Sequence, residues 1–104
     1  MLTVERADGP SAVTINARGE VDPDTAPVLE AALDAVLADG ATLPVVVDLS
    51  GVRFLDSAGI SALLRGRRRT VAAGREFRIA GADEFVVDVL QLAGVWRLLS
   101  GGAP

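Results

Sequence analysis

A serine lies where an apolar segment of the sequence gives way to a helical pattern, and that position suits a charge switch. Residues 45–49 have the apolar composition of a buried strand, and helical spacing of apolar residues resumes directly after Asp56-Ser57-Ala58-Gly59. A hydroxyl in the first turn of a helix can cap free backbone N–H groups. If Ser57 were phosphorylated, the same groups and the positive end of the helix dipole would receive the phosphate. The residues therefore predict either an N-cap or a phosphorylation site at Ser57.

Two acidic residues and a glycine each have a structural interpretation. Asp56 precedes Ser57, where a negative charge interacts favourably with the dipole of a helix. Asp22, which is followed by a proline, can cap an earlier helix. Gly59 indicates a close approach of two backbone segments more than a binding role.

The composition excludes several classes of site. The chain has no cysteine and no histidine, so disulfides, thiolate metal sites, a Ser-His-Asp hydrolase and a histidine phosphocarrier are ruled out. No base is available to activate Ser57 as a nucleophile, and the sequence has no Gly-x-x-x-x-Gly-Lys loop to bind a nucleotide. We therefore expect a protein that is not an enzyme and needs no cofactor.

Charge and hydropathy limit the partners and the location of the protein. Ten basic and fourteen acidic residues give a net charge of −4, which argues against nucleic-acid binding. No apolar stretch approaches the ~18 to 20 residues of a membrane-spanning helix, and the first residues do not follow the pattern of a signal peptide. These patterns predict a cytoplasmic protein that binds no nucleic acid and does not insert into a membrane.

The elements that must position the serine predict an α/β fold. We expect one domain over residues 1–100 and a frayed tail at 101–104. Strand patterns occur at residues 2–7, 12–18, 44–49, 76–80 and 95–99. Helical spacing predicts helices that start near Asp22, Ser57 and Asp83 and end near Gly40, Gly74 and Gly94. The order β-β-α-β-α-β-α-β predicts a mixed β-sheet with right-handed crossovers, and helices covering both faces of the strand at 44–49.

A basic cluster and a single tryptophan have simpler interpretations. Arg65, Arg67, Arg68 and Arg69 form the only basic cluster, which is typical of a solvated helix face, although it could also meet an acidic partner. Trp96 follows a helix stop and is expected to anchor packing.

Four segments of the sequence carry the motifs of a known family. They are residues 47–52, Val-Asp-Leu-Ser-Gly-Val, and 54–59, Phe-Leu-Asp-Ser-Ala-Gly, with Gly-Glu-Val-Asp at 19–22 and Leu-Ala-Gly-Val at 92–95. In order and spacing they resemble STAS domains, and specifically the bacterial anti-sigma factor antagonists. The likeness spans nearly the whole chain and implies the STAS fold.

The resemblance implies a phosphorylation switch at Ser57. The family's phosphorylatable serine falls on Ser57, and the matching aspartate, Asp56, flanks it. Asp22 matches a loop that lies beside the serine in the family and contacts the partner. The implied partner-binding residues are Glu20, Asp22, Asp56, Ser57, Ala58 and Gly59.

The resemblance also implies the partners. The unphosphorylated form would bind an anti-sigma factor, which is a serine kinase of the histidine-kinase-like ATPase type, and so release the sigma factor. Phosphorylation of Ser57 would end that complex, and a serine phosphatase would restore it.

Another function within the family stays open. Many relatives carry a second serine directly after the first, where this chain has Ala58, so Ser61 is the nearest alternative acceptor. Stand-alone STAS domains also resemble accessory subunits of lipid-transport complexes and of stressosome-like scaffolds. Such a subunit would not be switched by phosphorylation. In that alternative Ser57 is a docking contact.

Overall fold

The structure, a computed structural model, describes residues 1–101 and contains a mixed four-stranded sheet. Its strands are β1 (Leu2–Asp8), β2 (Val13–Val21), β3 (Val45–Leu55) and β4 (Phe77–Ala80). Its helices are α1 (Ala26–Leu37), α2 (Ser57–Ala72), α3 (Glu84–Leu92) and α4 (Trp96–Leu99). The predicted mixed α/β fold is confirmed, and the first seven elements follow in the predicted order. Within the described residues, no helix combines the length and the apolar composition needed to cross a membrane.

The sheet brings two strand ends together at one edge. Its strand order is β1-β2-β3-β4, in which β1 and β2 are antiparallel while β3 is parallel to both β2 and β4. Parallel neighbours need a crossover, and α1 and α2 supply the two crossovers from β2 to β3 and from β3 to β4. The carboxyl ends of β2 and β3 therefore lie side by side.

The helices pack on one face of this sheet. A single core cluster joins inward residues of the strands, among them Ile15, Val47 and Ile79, to residues of all four helices. The opposite face carries mainly polar side chains, such as Asn16 and Asp48, at the alternate positions of β2 and β3. The predicted burial of both faces of β3 is confirmed at Val45, Val46 and Val47, but it is wrong from Asp48 onward, where the apolar run ends and alternation resumes.

The last element is a helix, and the predicted strand at residues 95–99 is wrong. Gly94 has a φ of 75°, which ends α3 in the left-handed conformation that glycine tolerates. The chain then forms the single turn of α4, in which the Leu99 N–H donates to the Val95 carbonyl at 3.0 Å. Leu99 is fully buried and Trp96 packs against the core, which confirms the packing role of the tryptophan. A short apolar run suits a buried helical turn as well as a strand, so its periodicity does not discriminate between them.

Helix α3 buries a narrower face than its pattern suggests. Its spacing predicts that Phe85, Val86, Val89, Leu90 and Ala93 face inward. Val86 and Leu90 are fully buried, whereas Phe85 is 48% exposed and Ala93 is also exposed. Of the tail predicted to fray at 101–104, Gly101 lies in a turn, and residues 102–104 lie outside the described residues.

Candidate functional site at the start of helix α2

Two loops that carry the predicted site residues leave adjacent strand ends. In the register of β2 and β3, Val21 is the partner of Leu55. The Asp56 N–H donates to the Val21 carbonyl at 3.3 Å, which extends this pairing by one residue. The loop that begins at Asp22 and the start of α2 at Ser57 therefore lie next to each other.

Asp56, and not Ser57, caps helix α2. Asp56 has an extended backbone conformation, and its Oδ1 accepts hydrogen bonds from the N–H groups of Ala58, at 2.9 Å, and Gly59, at 3.4 Å. The interpretation of Ser57 as the N-cap is wrong, because an aspartate one residue earlier reaches the same two N–H groups. These groups are consequently occupied and do not point freely towards a bound anion.

Ser57 is the first residue of α2, and its side chain is exposed. Its hydroxyl makes no hydrogen bond with any residue of the described range 1–101. Ser61, one turn further along the same helix, is exposed as well. The Ser57 hydroxyl is thus accessible, and adding a group to it breaks no hydrogen bond of the described fold.

Gly59 lets α2 approach the sheet closely. A Cβ atom at this position would lie 2.7 Å from Leu55 Cγ and 3.0 Å from Val21 Cγ1. Gly59 is buried and Ala58 is half-buried against the core, so both serve the packing of the helix start. The close-approach interpretation of Gly59 is confirmed, while contact of either residue with a partner stays a prediction.

Asp22 organises the turn before α1 and does not cap that helix. Its Oδ1 accepts hydrogen bonds from the N–H groups of Asp24, at 2.9 Å, and Thr25, at 3.0 Å. Helix α1 begins at Ala26, and Thr25 stands at its N-cap position without a side-chain cap bond. The Thr25 hydroxyl instead donates to the Glu20 carbonyl at 2.8 Å and accepts from the Asp22 N–H at 3.0 Å. The predicted capping role of Asp22 is wrong because these bonds form a turn that delays the helix.

These contacts lower the pKa of Asp22. The largest cause is the hydrogen bond from the backbone N–H of Thr25, which favours the charged carboxylate; burial opposes it, and the Thr25 hydroxyl and the Asp24 N–H add to the lowering. The loop therefore presents a fixed negative charge beside the start of α2.

The carboxylate of Glu20 is paired with two positive charges within the described fold. Its Oε1 accepts from the amino group of Met1 at 2.8 Å, and its Oε2 accepts from Arg53 Nη2 at 2.6 Å. The amino group, followed by Arg53, lowers the pKa of Glu20. Glu20 thus offers less free charge to a partner than Asp22 does.

Two features of this site were missed by sequence reasoning. Thr25 links the Glu20 carbonyl to the Asp22 loop through its hydroxyl, and an acidic loop followed by threonine is a turn signal that could have revealed it. Phe54, paired with Glu20 across the β2–β3 register, is 41% exposed. An aromatic residue at an exposed position just before the helix could serve as an apolar contact for a partner.

The site has no arrangement suited to a metal ion. Within the part of the chain that the structure describes, no group of three or more acidic side chains could hold one. What the arrangement offers is an accessible hydroxyl between an occupied cap and an acidic loop.

The chain is similar in sequence and fold to known anti-sigma factor antagonists. A segment of 62 residues is 42% identical to the anti-sigma-F factor antagonist RsfB of Mycobacterium tuberculosis and covers 60% of this chain and 50% of that protein. The chain thus spans about half the length of this relative. The crystal structure of an anti-sigma factor antagonist from Mycobacterium paratuberculosis superposes with a TM-score of 0.78 and 28% identity, covering 100% of this chain and 86% of the other.

The fold and the family are also shown independently. The unphosphorylated form of the anti-sigma factor antagonist SpoIIAA has the same fold, with a TM-score of 0.68 and 20% identity over 88% of this chain and 83% of the other. The family model described as "Mlab, STAS domain" matches residues 4–100. The chain therefore belongs to the STAS domain family.

Proposed function

We propose that this chain is an anti-sigma factor antagonist that docks through the start of α2 and is switched off by phosphorylation of Ser57. The observation that carries the proposal is the exposed, unbonded Ser57 hydroxyl beside the Asp22 loop. The similarity to the mycobacterial antagonists supports the role. The docking surface would consist of Glu20, Asp22, Asp56, Ser57, Ala58 and Gly59.

The arrangement of the cap supports a switch that acts on the partner. Asp56 already accepts hydrogen bonds from the N–H groups of Ala58 and Gly59, so these groups would not be free to bind a phosphate on Ser57. It would add about −1.5 to −2 charges to a surface that also carries Asp56 and Asp22. One like-charge contact at ~4 Å costs about 4 kcal/mol at an effective dielectric of 20. Because 1.4 kcal/mol is tenfold, one such contact weakens binding about a thousandfold.

The chain would be the substrate in this scheme and not an enzyme. Its unphosphorylated form would bind an anti-sigma factor serine kinase of the histidine-kinase-like ATPase type in the cytoplasm and free the sigma factor. The nucleotide would belong to the kinase, and a serine phosphatase would regenerate the active form.

Charge substitutions on helix α2 test the proposed switch directly. Ser57→Asp should bind an anti-sigma factor of the same organism at least about tenfold more weakly, while Ser57→Ala should bind like the parent. Ala72→Asp is the matched control, because Ala72 is exposed at the opposite end of α2 and lies outside the proposed docking surface. Titration calorimetry on the three variants decides the question. Equal affinity of Ser57→Asp and the parent would contradict the switch.

Phosphorylation itself can be mapped. Incubation with the kinase and ATP should add one phosphate, located at Ser57 by peptide mass spectrometry, and Ser57→Ala should stay unmodified. The circular dichroism spectrum should be retained, because the hydroxyl makes no hydrogen bond within residues 1–101. Modification at Ser61 with Ser57 untouched would refute the assignment.

A second candidate function is a non-switching STAS subunit of a lipid-transport or stressosome-like complex. It is favoured by one observation, since the matching family model is described by the name Mlab and not as an antagonist. In that case Ser57 would be a docking contact without a phosphate. Co-purification of the chain with its complex, unchanged by Ser57→Asp, would support this candidate.

A further inference from the structure

A second concave site lies at the opposite end of α2 from Ser57. A cavity of about 420 Å³ opens where Pro44 and Glu76 lead into β3 and β4. The carboxyl-terminal half of α2 borders it through Arg67 and Val71, and the segment after α3 borders it through Leu98. The cavity shares no residue with the candidate docking surface.

Two arginines without ion pairs line this cavity. Arg65 and Arg69 of the same basic cluster pair with Asp34 of α1. Arg67 and Arg78 both border the cavity, and neither forms an ion pair with a residue of the described range. One carboxylate, Glu76, also borders it, so the walls keep an excess of positive charge. Uncompensated guanidinium groups that border one cavity are suited to an anionic group, which they can bind in a bidentate way.

The wall also carries apolar side chains. Val46 and Phe77 border the cavity and are each only 6% exposed, while Leu98 is half-buried. Val71, also on the wall, is 48% exposed, which is high for an apolar residue in a helix that packs on a sheet. A ligand that covered Val71 would remove apolar surface from water.

We propose that this cavity binds a small amphiphilic anion, whose phosphate or carboxylate head group contacts Arg67 and Arg78 and whose apolar part packs on Val71 and Leu98. Small-molecule sites usually combine apolar side chains with a few polar or charged groups that fix the orientation of the ligand. This site is independent of the proposed docking function at Ser57.

Hexyl phosphate and inorganic phosphate are the two probes of this proposal. In a titration followed by ¹H–¹⁵N NMR, hexyl phosphate should shift the amide signals of Arg78 and Leu98 with a Kd of roughly 1 to 10 mM. Inorganic phosphate should bind at least about tenfold more weakly, because it lacks the apolar part. No localised shift up to saturating probe, or equal affinity for the two probes, would overturn the proposal.

Matched variants separate a built site from general charge. Arg67→Gln and Arg78→Gln should each weaken hexyl phosphate binding about tenfold or more. Arg68→Gln is the control, since Arg68 belongs to the same cluster, is exposed and does not border the cavity. An equal loss in Arg68→Gln would overturn the proposal.

A substitution at the exposed apolar residue Val71 tests the apolar contact without disturbing the fold. Val71→Ser changes a half-exposed side chain and should leave the fold intact. It should weaken hexyl phosphate binding severalfold and leave inorganic phosphate binding unchanged. Unchanged binding of hexyl phosphate would show that Val71 makes no apolar contact with the ligand, and this result would overturn the proposal.

Discussion

The two ends of helix α2 are held in contrasting ways. At its start, Asp56 satisfies two N–H groups from a half-buried position, and Ser57 beside it is exposed. Beyond its end, the Arg75 side chain is 1% exposed and donates to the Leu43 carbonyl at 2.7 Å and the Val36 carbonyl at 3.3 Å. It also pairs with Asp39 at 3.1 Å.

This contrast separates the accessible start of the helix, which we propose as the docking surface, from the part that holds the fold together. Arg75 ties the carboxyl end of α1 and the residue before Pro44 to the end of α2, and thus fixes the crossovers on the sheet. Its Nη2 is buried without a hydrogen-bond partner among the described residues, so this contact is held at some energetic cost. The start of α2 carries no comparable buried charge and can change its charge without disturbing the core.

The largest effect in this comparison is expected at Arg75. Arg75→Met should lower the free energy of unfolding by about 2 to 4 kcal/mol, because the Leu43 and Val36 carbonyls lose a buried donor, while Asp39 keeps its ion pair with Arg6. Arg68→Met should change it by less than about 0.5 kcal/mol, since Arg68 is exposed and has no ion pair within the described range. Urea unfolding measures both. A parent-like stability of Arg75→Met would show that the buried arginine does not hold the helix end.

Two glycines of α2 should differ in the next largest effect. Gly59→Ala places a Cβ 2.7 Å from Leu55 Cγ, a branching atom near the backbone, and should cost about 1 to 3 kcal/mol. Gly66→Ala meets the flexible end of Leu33 at 2.5 Å, and its gain in helix propensity of up to about 1 kcal/mol offsets the shift. Thermal melts of the two variants should therefore rank Gly59→Ala below Gly66→Ala, and the reverse ranking would contradict the close approach at the helix start.

Substitutions at Asp56 and Ser57 should have a smaller effect on stability, and they test which of the two residues caps α2. Asp56→Ala should lose about 1 kcal/mol of stability, because two N–H groups lose their acceptor. Ser57→Ala should stay within about 0.5 kcal/mol of the parent, since its hydroxyl bonds no described residue. Urea unfolding of both variants distinguishes the two residues. A larger loss in Ser57→Ala would return the capping role to the serine.

The smallest effect concerns pH. The pKa of Asp22 is lowered in the folded state, mainly by the Thr25 N–H, so its carboxylate stabilises the fold above its unfolded pKa. That contribution is lost as the pH falls through the folded pKa, below about pH 4. Asp22→Asn keeps an oxygen acceptor and removes the titration. The difference in stability between parent and variant should shrink from about pH 6 to about pH 2. A difference that does not change with pH would contradict the role of the charge.

Local patterns in the sequence were sufficient for the α/β fold class and for most of its elements. Alternation, helical spacing and the turn residues predicted β1 to β4 and the helices α1 to α3, since each depends on neighbours within a few positions. The predicted end of β3 at residue 49 is wrong, because the strand continues to Leu55 beside β2. The cap of α3 was predicted for the same reason, and Asp83 does accept from the Val86 N–H at 3.0 Å. The residue types around Ser57 were sufficient to locate the site. They did not decide whether Asp56 or Ser57 caps the helix.

Only the tertiary structure decided the features that depend on residues far apart in the chain. Arg75 is 36 positions from Asp39 and 32 from Leu43, so no local pattern indicates its burial. The same holds for Arg69, which pairs with Asp34 across 35 positions, while Arg67 has no such partner in the described range. The last apolar run became α4 because the core, and not the local alternation, determined how Leu99 is buried. Sequence by itself determined which elements form, and packing between them determined which charges are paired, which are buried and which stay free for a ligand or a partner.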